Sequence, residues 1–184
     1  MAGNLCTSCN LCCNRTFFGC LDITSEEAAR LGDAARIRTE PDGGLNLMQP
    51  CAFLGACGGC GAYDVRPAAC RAYRCDLLKK VEGGTLTESF AHDVVGRLKE
   101  MHRTCIDACR AVVPAELWQD DIVDPHAAIG LVMETCGADQ NDPLFVEALF
   151  LWNVCIQYTR RNFQHDYVMP KDQTAPSRDP AEAA

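Results

Sequence analysis

The sequence predicts a mainly α-helical protein in which a cysteine-rich irregular lobe with a short hairpin packs on a helical half. Three observations carry this expectation. The chain has 184 residues and 14 cysteines, ten of them at or before position 75. From about residue 87 onward, apolar residues recur at helical spacing between Asp-Pro breaks. Only Leu45 and Leu47, alternating with polar neighbours, read as strand, which places the short hairpin near 45–53.

The elements follow in order. Residues 1–22 read as a cysteine-rich loop or short helical turns. Thr24-Ser25-Glu26-Glu27 has the pattern of a capping box and predicts a helix to about Ala35, with Ala28 and Leu31 inward. Pro41-Asp42-Gly43-Gly44 is a turn. Thr87 caps a helix to about Val112, with Phe90, Val94, Leu98, Met101, Cys105 and Ala108 on one face. Pro114 ends that helix and opens a short one through Ile122. Asp124-Pro125 and Asp142-Pro143 each pair an N-cap with proline at the first helical position. They predict helices over 126–136 and 143–163, the second at the centre of the helical core, with Gly137 capping the first. A length near the usual domain size favours one compact body. Residues 1–80 are its cysteine-rich metal-binding region, 81–169 its helical region, and 170–184 a disordered tail.

Composition narrows the function. Hydrophobic residues make up 48% and charged residues 23%, an ordinary globular balance. The net charge is −8. Residues 1–80 hold nine basic and eight acidic side chains, and 81–184 hold eight and seventeen. An acidic chain with no basic run argues against nucleic acid. No apolar stretch is long enough to span a membrane, so no membrane partner is expected. Met1 to Asn10 lacks the basic and apolar segments of a signal peptide, so the expected compartment is the cytoplasm.

A reducing compartment favours metal ligation over disulfides. Cys6-x2-Cys9-x2-Cys12-Cys13 is also too crowded for mutual bridging without strain. A Cys-x2-Cys turn aims two thiolates at one ion, whereas adjacent Cys12 and Cys13 point naturally to two metals or to two corners of a cluster. The helical cysteines Cys105, Cys109, Cys136 and Cys155 read as small hydrophobes. His102, Cys105 and Cys109 do share a helical face and could supply outer ligands or a second site. His92, His126 and His165 read as surface residues, Trp118 and Trp152 as core, and Tyr63 as packing. Arg15, Arg66, Arg71 and Arg74 stand beside cysteines, either offsetting thiolate charge or pairing with Asp64 and Asp76.

Residues 6–75 resemble the CxxCxxCC cysteine-cluster family, the YkgJ-type zinc- or iron-chelating domains. The motifs are Cys6-x2-Cys9-x2-Cys12-Cys13, then Cys51-Ala-Phe-Leu, Cys60-Gly-Ala-Tyr63 and Arg66-Pro67-Ala-Ala-Cys70-Arg71. The resemblance implies chelation by Cys6, Cys9, Cys12, Cys13, Cys51, Cys60 and Cys70. It leaves open whether Cys20, Cys57 and Cys75 are ligands. The expected function is binding of iron, as an iron–sulfur cluster, with zinc as the alternative. Surplus thiolates and the adjacent pair suit a cluster better than single tetrahedral ions. A metal-dependent modifying or redox enzyme, related to protein methylation, is a second expectation, though no glycine loop for S-adenosylmethionine is present. A metal-stapled module for a protein partner is the third.

Overall fold

The computed structural model describes residues 3–55, 59–118, 124–135 and 142–163. Four short helices and a small sheet make the N-terminal part: α1 (Gly3–Cys9), β1 (Cys20–Ile23), α2 (Ser25–Leu31), β2 (Ile37–Thr39), β3 (Leu45–Met48), α3 (Ala68–Ala72) and α4 (Asp76–Glu82). Three longer helices follow: α5 (Glu88–Val112), α6 (Pro125–Thr135) and α7 (Pro143–Phe163). The mainly helical expectation is met.

The local signals act as their chemistry requires. Thr24 Oγ1 accepts from the Glu27 N–H, and the Glu27 carboxylate reaches back to the Thr24 N–H. This helix stops at Leu31 rather than Ala35, because Gly32 turns into positive φ (69°). Thr87 Oγ1 accepts from the Phe90 N–H and opens α5, which ends at Val112 as expected. The Asp124 carboxylate accepts from the His126 and Ala127 N–H groups, and that of Asp142 accepts from the Leu144 N–H. After Pro114 the described residues form a 3-10 turn, Ala115–Leu117. The expected helix through Ile122, the Gly137 cap, Cys57, Cys136, His165 and the expected tail all involve positions outside the described residues.

The hairpin expected near 45–53 is instead a three-stranded antiparallel sheet in the order β1-β3-β2. Residues 37–48 supply its hairpin, turning through Gly43 (φ 86°). Residues 20–23 add the third strand in the register Leu21↔Leu47. Gln49-Pro50 is cis and lies outside the strands, as do residues 51–53.

Among the described residues, three apolar clusters form the core. The first joins Leu5, Leu11 and Phe17 to Leu77, Leu78, Val94, Leu98 and Phe163. The second lies among α5, α6 and α7 and includes Cys105, Cys109, Val132, Phe145 and Cys155. The third gathers Ile23, Leu31, Leu47 and Ala62 beneath the sheet. The spine is therefore α5, which packs on α1, α4, α6 and α7. Its inner stripe is Ala91, Val94, Val95, Leu98, His102, Cys105 and Cys109. Phe90, expected on that stripe, is 53% exposed because the stripe runs one residue further along. Among the described residues, no helix is long and apolar enough to cross a membrane.

Candidate metal centre

Four short segments bring the cysteines together. α1 sets Cys6 and Cys9 one helical turn apart. Asn10 then takes a left-handed conformation (φ 61°), and its carbonyl accepts from both the Cys13 and Asn14 N–H groups at 2.9 Å. That tight turn projects Cys12 and Cys13 from adjacent positions. The second segment is tied to the first where the Cys51 N–H donates to the Cys13 carbonyl at 2.7 Å. A bridge between Leu54 and Cys60 folds the chain back, with the Gly61 N–H donating to the Phe53 carbonyl at 2.8 Å. A Cβ at Gly61 would stand 3.3 Å from that carbonyl, so glycine suits the close approach.

The fourth segment, α3, carries Cys70. Pro67 precedes it, and no side chain of its own caps it. The capping group comes from α2: Glu27 Oε1 accepts from the Ala68 N–H at 2.6 Å while Oε2 accepts from the Thr24 N–H. Both bonds favour the ionised carboxylate and hold its pKa below the usual value, the Ala68 bond most strongly. One buried carboxylate thus caps two helices and fixes the Cys70 segment against the sheet lobe.

A cavity of about 280 Å³ opens between these segments. Six of the seven cysteines singled out by the sequence line it: Cys6, Cys12, Cys13, Cys51, Cys60 and Cys70. The rest of its wall is largely apolar, with Phe18, Leu21, Leu47, Phe53 and Tyr73 prominent. Cys9, the seventh, packs instead against the first core cluster beside Cys12 and Cys75. Cys51 and Cys60 pack against the third cluster, under the sheet.

Burial dominates the electrostatics. It pushes the thiols of Cys9 and Cys13 up to about 12 and that of Cys70 to about 11, and raises Cys12, Cys51 and Cys75 as well. Neighbouring thiols add to the effect and show which groups face each other. Cys9, Cys6 and Cys75 act on one another or on Cys12. Cys13 feels Cys51, Cys60 and Cys70, and Cys70 in turn feels Cys51 and Cys60. The adjacent pair therefore looks two ways, Cys12 toward Cys9 and Cys75, Cys13 toward Cys51, Cys60 and Cys70. Cys6 acts on both groups. Cations temper the field: Lys99 at Cys9, Arg36 at Cys51 and Arg66 at Cys70. As the side chains stand, no three His, Cys, Asp or Glu among the described residues are grouped to grip a metal ion.

Cys75 is the residue that sequence spacing left undecided. Its sulfur accepts from the Leu78 N–H at 3.5 Å and caps α4, which holds it beside Cys9 and Cys12. The signal available was its position one residue before a helical run, where a capping side chain belongs. Cys20, on β1, is not among the cavity-lining residues. The arginines divide. Arg74 pairs with Glu82 at 3.1 Å and Arg15 approaches Asp124 at 3.8 Å, so neither takes Asp64 or Asp76. Arg66 lies over the Tyr63 ring, 3.6 Å from its centroid, at the cavity wall. Tyr63, expected as packing, is 42% exposed.

The helical cysteines Cys105, Cys109 and Cys155 are buried in the second cluster, as small hydrophobes should be. His102 on the same stripe is buried, and desolvation lowers its pKa to about 4. His126, expected at the surface, is half-buried; its Nδ1 accepts from the Trp152 indole N–H at 3.3 Å. Trp118 and Trp152 pack against the second cluster without being fully buried.

No family model, curated protein or solved structure matches the chain. The resemblance to the cysteine-cluster family thus rests on the motifs themselves.

Proposed function

We propose that this chain is a cytoplasmic metal-binding protein that takes up iron, as an iron–sulfur cluster, through the thiolates of its N-terminal half. Zinc is the alternative metal. The observation that supports this reading best is the convergence of six cysteines from four segments on one cavity of about 280 Å³. A single tetrahedral zinc, with sulfur about 2.3 Å away, fills its own coordination shell and needs no such room. A polynuclear cluster does. None of the described cysteines is in a disulfide, so their sulfurs remain available as ligands.

The donor set fits the group. Cys13, Cys51, Cys60 and Cys70 would hold one metal or one face of a cluster, and Cys6, Cys9, Cys12 and Cys75 a second. Loading requires the thiols to draw together and release their protons, since buried thiols without metal stay neutral. Once bound, an iron–sulfur cluster supplies one-electron redox chemistry. The chain's own contribution is an apolar wall that limits water, with Arg66, Arg36 and Lys99 offsetting thiolate charge.

Metal and acid-labile sulfide analysis, with a visible spectrum, on protein purified without oxygen tests the proposal. Iron with sulfide and a broad band near roughly 400 nm is the expected result. Zinc without colour replaces the metal but keeps the site. Absence of any bound metal overturns the reading.

A further inference from the structure

The helical half carries a feature that the thiol cavity does not use. α7 turns Phe145, Ala148, Cys155, Thr159 and Phe163 into the interior. At 100° per residue, Val146, Phe150 and Val154 fall on the opposite side. They are 51%, 66% and 36% exposed. A continuous apolar stripe on the water-facing side of a helix marks an interaction surface.

The charges around the stripe indicate what covers it. Glu147 lies near its start, and Arg160 and Arg161 lie in the last turn, all three exposed. Among the described residues none of the three takes part in an ion pair. A strip that is acidic at one end, apolar in the middle and basic at the other is its own complement when turned end for end.

We propose that two copies of this chain associate through α7, the helices antiparallel and crossing near Val154. Glu147 and Arg161 lie seven residues either side of that point, about 10 Å along the axis at 1.5 Å per residue. Glu147 of each copy then meets Arg161 of the other, Val154 meets Val154 at the crossing, and Phe150 of each lies four residues to one side of it. The two-fold relation makes every contact away from the axis occur twice. A parallel pairing sets Glu147 against Glu147 and arginine against arginine, and is disfavoured. An interface confined to one helix face lies at the small end of specific interfaces, so the dimer should dissociate in roughly the micromolar range.

Sedimentation velocity on the full chain as purified, over about 1 to 100 μM, tests this. The expected result is a monomer that becomes a dimer with concentration. Phe150→Asp should stay monomeric at every concentration with an unchanged far-ultraviolet spectrum, because Phe150 lies on the exposed face of α7. Glu147→Arg should weaken the dimer several-fold, and Glu147→Arg combined with Arg161→Glu should recover it. A wild-type monomer throughout the range, a dimer that survives Phe150→Asp, or a charge swap without recovery each overturns the proposal.

Discussion

Glu27 ties two segments of the candidate centre together without lining its cavity. Its two carboxylate oxygens satisfy the first N–H groups of two helices from different parts of the chain. Replacing it by alanine leaves the Ala68 N–H without its acceptor and frees the segment bearing Cys70. Glu27→Ala should lower the melting temperature and reduce metal content, and Glu27→Gln should retain part of both. Scanning calorimetry with metal analysis on the same samples checks this. The adjacent thiols allow a sharper comparison. Cys12→Ser and Cys13→Ser should each remove part of the metal without removing all of it, because the two side chains face different neighbours. Cys105→Ser should leave metal content unchanged while costing about 1–3 kcal/mol of stability, since it buries a hydroxyl in an apolar cluster. Metal content that falls equally in all three would contradict the division. His102 gives a pH signature. Its pKa is lowered from 6.5 to about 4 by burial, so the unfolded chain binds its proton first. The stability it contributes is complete above pH 6.5 and drains away as pH falls toward 4. Roughly 2 kcal/mol should disappear between pH 6.5 and 5. Urea midpoints should show a flatter acid limb in His102→Gln.

At the scale of elements, capping is where sequence and structure agree best. Thr87, Asp124 and Asp142 are each followed within three residues by the N–H that their side chain accepts. Everything needed is local, so the starts of α5, α6 and α7 were legible. Thr87→Ala should cost about 1 kcal/mol, measurable as a shift in denaturant midpoint. The sheet was only half legible for the opposite reason. β1 is as short as β3 and also alternates, with Leu21 and Ile23 between Cys20 and Asp22, but it closes a cysteine-rich stretch that reads as loop and pairs with a strand about 25 residues away. The cysteine motifs identified six of the cavity's residues because turn spacing is local too. Cys75 escaped them because its place beside Cys9 and Cys12 is set by α4 docking in the first cluster. His126 escaped because Trp152, which buries it, comes from another helix.

Across the whole molecule, the thiol segments and the helices differ in how they are held. The second apolar cluster is confined to the helical half and owes nothing to the cysteine-rich segments. α1, α3 and α4 have only five to seven residues each and lean on short contacts. Removing metal with a chelator should therefore raise amide exchange across residues 3–75 while α5 and α7 stay protected. Hydrogen-exchange mass spectrometry reads this directly, and equal loosening of both parts would show that metal supports the entire fold rather than its N-terminal part. Leu98→Ala, at the buried face where α5 meets the first cluster, should destabilise by about 2–5 kcal/mol and loosen the thiol segments with it.

The contact between Phe17 and Phe163, with ring centroids 5.1 Å apart, sets a timetable as well as a packing arrangement. Every cysteine of the candidate centre has left the ribosome long before residue 163 is made. The first cluster, which backs Cys9, Cys12 and Cys75, is nevertheless incomplete until the last turn of α7 arrives. The wall behind those three thiols is thus the last part of the molecule to be finished, and a chain that stops early leaves them with no completed cluster behind them.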